Sequence, residues 1–182
     1  MSLSAMFSMK LDQRMQPIQL ILSDVDGVLT NGGIMFDNQG IESKQFHVRD
    51  GLGIKLWQRV GNRFGVITAR SSHIVKMRMS ELGVDIIRQG LEAKLPVAMK
   101  IIEELKLELS EVCYIGDDLA DLPLLKKVGL AASVADAAAE VRNAAQVVTK
   151  ASGGQGAVRE LVETILKSQD RWSEIVKSFE QD

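Results

Sequence analysis

A chain of 182 residues, 46% apolar and 25% charged, has the composition of a globular domain long enough to bury a sizeable core. Its net charge of −2 leaves no basic surface to favour nucleic acid, and no apolar run approaches the roughly 20 residues that a membrane-spanning helix needs. The one cysteine, Cys113, sits in an apolar strand pattern as a small core residue, so thiol chemistry is not expected and a cytoplasmic location is.

Residues 1–16 lack a continuous apolar core and a cleavage site, so 1–17 is expected to be a flexible arm rather than a signal peptide. Leu20-Ile21-Leu22-Ser23 then runs straight into Asp24-Val25-Asp26-Gly27. A short apolar run without alternation reads as a strand buried on both faces of a parallel sheet. Gly27 lets the backbone turn where that strand stops. Ligands in open α/β sheets bind at the carboxyl ends of the strands, which puts Asp24 and Asp26 at the mouth of the sheet. Two carboxylates so close repel unless a cation lies between them or one holds a proton.

Ile34-Met35-Phe36 and residues 41–47, on either side of Asp37-Asn38-Gln39-Gly40, read as a β-hairpin projecting from that mouth. Asp50 is expected to cap a helix carrying Leu52, Ile54, Leu56, Trp57 and Val60. Residues 63–68 form a second buried strand ending in Thr68-Ala69-Arg70, and Ser71 or Ser72 caps the next helix, which Gly83 stops. A third strand spans 84–88. A helix spans 92–107, with Lys94 near its start and Pro96 in the first turn. The fourth strand, 112–115, ends in Gly116-Asp117-Asp118, and a helix is expected over 119–127. Strands over 130–134 and 146–149 flank a helix over 136–145. Gly153-Gly154-Gln155-Gly156 then opens a helix over 157–168. The tail, 169–182, places Trp172, Ile175, Val176 and Phe179 at helical spacing. This alternation defines an α/β, Rossmann-like three-layer sandwich over 18–168, with a central parallel sheet, a β-hairpin insertion after strand 1 and no cap domain.

Polar residues gather where the predicted strands stop. Asp24, Asp26, Thr68 and Asp117 share one sheet edge, with Lys94 a helix start away. Together they make a coherent phosphoryl-transfer site. Mg²⁺ takes oxygen ligands, which Asp24, Asp117 and the backbone carbonyl of Asp26 can supply. Asp24 is placed to attack phosphorus and form an aspartyl-phosphate. Asp26 is placed to protonate the leaving alcohol and then deprotonate the hydrolysing water. Thr68 and Lys94 would bind the phosphoryl oxygens. A phosphorylated signalling receiver uses similar groups, but it carries its phosphorylated aspartate on an interior strand. It must also lack an acid/base such as Asp26.

Asp24-Val25-Asp26-Gly27-Val28-Leu29-Thr30, Thr68, Lys94 and Gly116-Asp117-Asp118 resemble the four motifs of the haloacid dehalogenase superfamily phosphatases. Four further segments narrow the resemblance to the capless 3-deoxy-D-manno-octulosonate 8-phosphate phosphatase family, over about residues 18–168. They are Phe46-His47-Val48-Arg49-Asp50-Gly51-Leu52-Gly53, Gly116-Asp117-Asp118-Leu119, Val134-Ala135-Asp136-Ala137 and Gly153-Gly154-Gln155-Gly156-Ala157-Val158-Arg159-Glu160.

The resemblance implies Mg²⁺-dependent hydrolysis of that sugar-acid phosphate through an aspartyl-phosphate, in lipopolysaccharide biosynthesis. It also implies a homotetramer in which the hairpin packs on its counterparts and a neighbour helps close the site. The metal would be held by Asp24, Asp26 and Asp117. The substrate would be met by Asp26, His47, Val48, Arg49, Asp50, Gly51, Lys55, Arg70, Arg78 and Lys94, or pass them at the entrance. Arginine suits such a ligand because it binds carboxylates bidentately.

Ala69 departs from the glycine common after the strand-end hydroxyl, and the tail after Ser168 matches nothing in the family. Two related alternatives are a phosphatase of nine-carbon, sialic-acid-type sugar-acid phosphates and the phosphatase-like module joined to acylneuraminate cytidylyltransferases. Arg70 favours the eight-carbon substrate, since relatives acting on nine carbons can carry an acid there. A non-catalytic oligomerisation module is the alternative from another class, and intact Asp24, Asp26, Lys94 and Asp117 speak against it.

Overall fold

The computed structural model of the chain describes residues 10–180. In chain order the strands are β1 (Leu20–Ser23), β2 (Met35–Phe36), β3 (Glu42–Ser43), β4 (Arg63–Thr68), β5 (Ile86–Gln89), β6 (Val112–Gly116), β7 (Leu130–Ser133) and β8 (Val147–Val148). The helices are α1 (Leu11–Met15), α2 (Val48–Arg59), α3 (His73–Glu81), α4 (Lys94–Glu104), α5 (Leu122–Leu125), α6 (Ala139–Ala144), α7 (Ala157–Ser168) and α8 (Trp172–Glu180). Among the described residues, six strands form one parallel sheet in the order β5-β4-β1-β6-β7-β8, and β2 and β3 form a separate antiparallel hairpin.

The order follows from right-handed crossovers. From β1 the chain steps through α2 to β4 and through α3 to β5, which lays both helices on one face. It then returns across the sheet through α4 to β6 and onward through α5 and α6, which cover the other face. α7 comes back to pack along α2. β1 and β6 are therefore neighbours whose connections leave in opposite directions. That is the point in an open sheet where a crevice forms. All four residues of β1 and all five of β6 are buried, as strands covered on both faces must be. No described helix is long and apolar enough to cross a membrane.

Several expectations are corrected locally. Residues 1–9 of the expected arm lie outside the described residues. Its later part is not loose: α1 buries Met15, and Arg14 donates to Gly129 O at 3.0 Å. The tail needs no such correction: at the expected helical spacing it is a helix docked by Ile175, with Trp172 between Arg159 and Lys167 at 5.3 and 5.4 Å. Asp50 does not cap its own helix, because α2 starts at Val48 with His47 as its cap, Nδ1 accepting from Arg49 N at 3.2 Å. Ser72 precedes α3 but makes no capping hydrogen bond to it. The helix expected over 119–127 is a 3₁₀ turn, Leu119–Asp121, followed by the single-turn α5.

Candidate active site

The floor of the crevice is built by strand ends. Asp24 N–H donates to Ile115 O at 3.0 Å, carrying the β1–β6 ladder one residue past the strand, so the side chain leaves from a fixed backbone. Its Oδ1 accepts from Val25 N at 2.6 Å, and its Oδ2 accepts from Lys94 Nζ. Lys94 is the first residue of α4 and is buried, and it also donates to Asp121 Oδ1 at 2.7 Å. Asp121 is completely buried. Oδ1 further accepts from Tyr114 Oη at 2.5 Å, and Oδ2 accepts from Asp117 N and Asp118 N at 2.9 and 3.2 Å. Sequence reasoning missed Asp121. Its signal is the spacing Asp117-Asp118-x-x-Asp121, which the 3₁₀ turn folds back onto the strand end.

Carboxylate oxygens of Asp24, Asp117 and Asp121 lie within 4.8 Å of one another, facing the single ammonium of Lys94. Burial pushes Asp24 up to about 6, with Lys94 opposing and Asp121 adding to the rise. Burial, then the charges of Asp24 and Asp121, push Asp117 up to about 7. Burial works against the charge of Lys94, but Asp24 and Asp121 outweigh it and hold the ammonium above its ordinary value. The cluster carries more negative charge than one lysine neutralises, and its all-oxygen donor set is that of a hard divalent cation. Asp121 is the least available as a ligand, because four donors already occupy its oxygens. The Asp117 carboxylate accepts from no donor among the described residues, which leaves its lone pairs free.

Glycine is required where the loops close over this floor. Gly27 has φ +88°, and a Cβ there would run into the Asp117 carboxylate. A Cβ on Gly153 would overlap the carbonyl of Gly27, while Gly154 N donates to Val28 O at 2.9 Å. The 153–156 loop thus clamps the loop bearing Asp26. Two acids, the exposed Asp136 and the buried Asp50, secure that clamp: Asp136 Oδ1 accepts from Gly153 N at 2.9 Å, and Asp50 accepts from Gly156 N at 3.2 Å and Arg159 N at 2.8 Å. Asp50 caps α7, then, rather than α2. Burial raises its pKa against the pull of those N–H groups.

The rim comes from the hairpin and the segment after β4. Thr68, buried at the end of β4, accepts from Arg70 N at 3.3 Å through Oγ1, so its own proton is free to donate. Asp26 lies past β1, where Lys44 Nζ donates to its Oδ1. Its Oδ2 is buried without a hydrogen bond, 3.8 Å from the equally unpartnered Nε of Arg70. Glu42 accepts from Arg70 Nη2 at 2.8 Å and Ser72 Oγ at 2.7 Å. Those two hydrogen bonds hold its carboxyl below the usual range. Sequence reasoning missed Glu42 and Lys44, because hairpin periodicity does not say which way the hairpin folds.

His47, Gly51 and Arg78 pack against Leu29 of the loop after β1 in a shallow cleft with no room for a water molecule. Val48 and Arg49 are exposed at the start of α2, and Arg78 pairs with Glu81 at 2.8 Å. Lys55 is exposed on α2 and shares no hydrogen bond or ion pair with floor or rim. The structure therefore brings Asp24, Asp26, Thr68, Arg70, Lys94 and Asp117 to one crevice. It turns the Asp50 carboxylate to α7 and leaves Lys55 apart.

A parallel sheet with an Asp-x-Asp loop, a strand-end hydroxyl, a lysine and an acid pair at the switch point defines a haloacid dehalogenase-like hydrolase. Residues 73–161 match the family model of that description. The 3-deoxy-D-manno-octulosonate 8-phosphate phosphatase KdsC of Yersinia pestis is 40% identical over 159 residues, covering 87% of this chain and 85% of that protein. KdsC of Haemophilus influenzae is 36% identical over 163 residues, covering 90% and 91%. The crystal structure of the Moraxella catarrhalis 3-deoxy-D-manno-octulosonate 8-phosphate phosphatase, in complex with magnesium, phosphate and KDO, superimposes with a TM-score of 0.91 at 39% identity, covering 92% of this chain and 97% of that one. The chain belongs to the 3-deoxy-D-manno-octulosonate 8-phosphate phosphatase family.

Proposed function

We propose that the chain is a Mg²⁺-dependent phosphatase that hydrolyses 3-deoxy-D-manno-octulosonate 8-phosphate to the free sugar acid and phosphate. The observation that carries this reading is the floor: Asp24 beside Lys94 and Asp117 at the β1/β6 switch point, in a chain about 40% identical to phosphatases of that substrate. Asp24, Asp117 and the Asp26 carbonyl would hold the cation, which when bound neutralises charge between the carboxylates and the phosphate.

Asp24 attacks phosphorus. A bond from its carboxylate oxygen to phosphorus forms as the ester bond to the sugar oxygen breaks. Asp26 gives the leaving oxygen its proton, then takes one from the water that attacks the aspartyl-phosphate and restores the Asp24 carboxylate. Lys94 uses two of its three N–H groups on Asp24 and Asp121, leaving the third for a phosphoryl oxygen. Thr68 has a proton to donate to another. Arg70 at the rim supplies the cation for the sugar's carboxylate.

The same reading carries 18–168 as the phosphatase domain, a cytoplasmic location and a homotetramer. Support for assembly through the hairpin is the exposure of Ile34, Met35, Phe36 and Ile41, each more than half accessible. Light scattering of the purified chain should give four protomers.

Phosphate release from the eight-carbon and nine-carbon sugar-acid phosphates, with Mg²⁺ and with chelator, tests the activity. The expected result is Mg²⁺-dependent turnover favouring eight carbons, reduced by about three orders of magnitude or more in Asp24→Asn. Preference for nine carbons would keep the chemistry and change the substrate. No release from either would overturn the reading.

A further inference from the structure

Arg70 is held from one side only. Its Nη2 donates to Glu42 Oε1 at 2.8 Å, while its Nε faces Asp26 at 3.8 Å with no hydrogen bond. Its side chain remains 40% accessible, so part of the guanidinium is open to a ligand beside Asp26. Glu42 is held more completely. Ser72 Oγ donates to Oε2 at 2.7 Å, and Lys44 Nζ stands 3.5 Å from Oε1, so three groups fix this carboxylate on the hairpin.

An arginine on a flexible stem loses about 2 kcal/mol of rotamer freedom when it grips a ligand. A carboxylate that already fixes one corner removes much of that cost in advance, and leaves the planar fork aimed rather than occupied.

We infer that Glu42 is a positioning residue for Arg70, setting its guanidinium to receive the substrate's carboxylate and so favouring sugar-acid phosphates over phosphate esters without one. The hairpin thereby contributes to selectivity from within its own subunit. This rests on the reading that Arg70 binds the sugar carboxylate.

The test compares the full-length chain with Glu42→Ala, Glu42→Gln and Arg70→Ala on two substrates, 3-deoxy-D-manno-octulosonate 8-phosphate and the carboxylate-free p-nitrophenyl phosphate. The quantity read is the ratio of their kcat/KM values. Losing one charge-assisted hydrogen bond should lower that ratio about tenfold in Glu42→Ala. The loss should appear in KM for the sugar-acid phosphate rather than in kcat. Glu42→Gln keeps an acceptor for Arg70 and should recover part of it. Glu42→Ala added to Arg70→Ala should lower the ratio no further, since the first acts through the second. An unchanged or lower KM in Glu42→Ala, with Arg70→Ala impaired, would overturn the positioning role and make Glu42 a competitor of the substrate. An unchanged ratio in Arg70→Ala would overturn the Arg70 reading, and this inference with it.

Discussion

Lys94 and Lys44 both lay an ammonium on an aspartate of the same loop, and both side chains are almost wholly buried, at 2% and 1% accessible. Their foundations differ. Lys94 starts α4, and its partners are set by β1, β6 and the buried Asp121, all parts of the sheet core. Lys44 follows β3, a strand of two residues in a hairpin outside the main sheet. Moving Asp24, Lys94 or Asp121 would break the β1–β6 ladder or strand a buried charge, so the floor is rigidly founded. The hairpin is tied to the rim chiefly by side-chain pairs, which leave part of the Arg70 guanidinium open to a charged substrate. In the proposed reaction the nucleophile Asp24 stands on the first foundation, while the acid/base Asp26 and the selectivity contacts share the second.

Asp121→Ala should break this comparison most visibly if it is mistaken. Removing the carboxylate leaves Lys94, Tyr114 Oη and two backbone N–H groups without their acceptor. Lys94 keeps Asp24, but buried donors left without an acceptor cost about 1–3 kcal/mol each, which in a domain of this size lowers Tm by roughly 10 °C. Glu42→Ala at the rim should cost no more than about 1 kcal/mol, a shift of a few degrees. Equal shifts in the two variants, measured by differential scanning calorimetry, would remove the distinction between floor and rim.

The floor should also make stability depend on pH and metal together. In the metal-free chain, burial holds Asp24 at about 6 and Asp117 at about 7, against an ordinary 3.8. A carboxyl whose folded pKa is raised contributes stability that is complete below the ordinary value and is lost as pH rises through the folded one. Tm without metal should therefore fall between about pH 5 and pH 8. Glu42 and Glu163, held low, act in the opposite sense, but only below their ordinary 4.5. Mg²⁺ displaces the protons the site would otherwise take up, so it should stabilise more at pH 8 than at pH 5. At a hundredfold excess over Kd the gain is about 2.7 kcal/mol. A metal-free Tm that rises across this window would show that the carboxylates are not strained by one another.

The same division explains what the amino-acid sequence alone reveals. Asp24, Asp26, Thr68, Lys94 and Asp117 were legible because strand–helix alternation puts strand ends on one edge, whatever the loops do. The parallel sheet was legible for the same reason. Asp121 was not, because its place depends on a 3₁₀ turn drawn back by Asp117 N and Asp118 N, a local departure from helical spacing. Asp50 carries a capping residue's chemistry, but its partners are Gly156 and Arg159, over a hundred residues away, and no local pattern points there. Glu42 and Lys44 sit on a hairpin whose two-residue strands set no orientation relative to the sheet.

Ser72→Ala should give the smallest effect and separates two roles for one hydroxyl. Its position just before α3 is that of a capping serine, whose loss costs about 1 kcal/mol of stability. In the structure the hydroxyl makes no capping bond and donates to Glu42 Oε2 at 2.7 Å instead. If the hydroxyl serves Glu42, the variant should keep its Tm within about 2 °C. Its preference for the sugar-acid phosphate over p-nitrophenyl phosphate should then weaken about two- to threefold, between the parent chain and Glu42→Ala, as one of two strong anchors is lost. A larger Tm loss with the preference intact would return Ser72 to α3, leaving Glu42 tied to the chain after β4 by Arg70 alone.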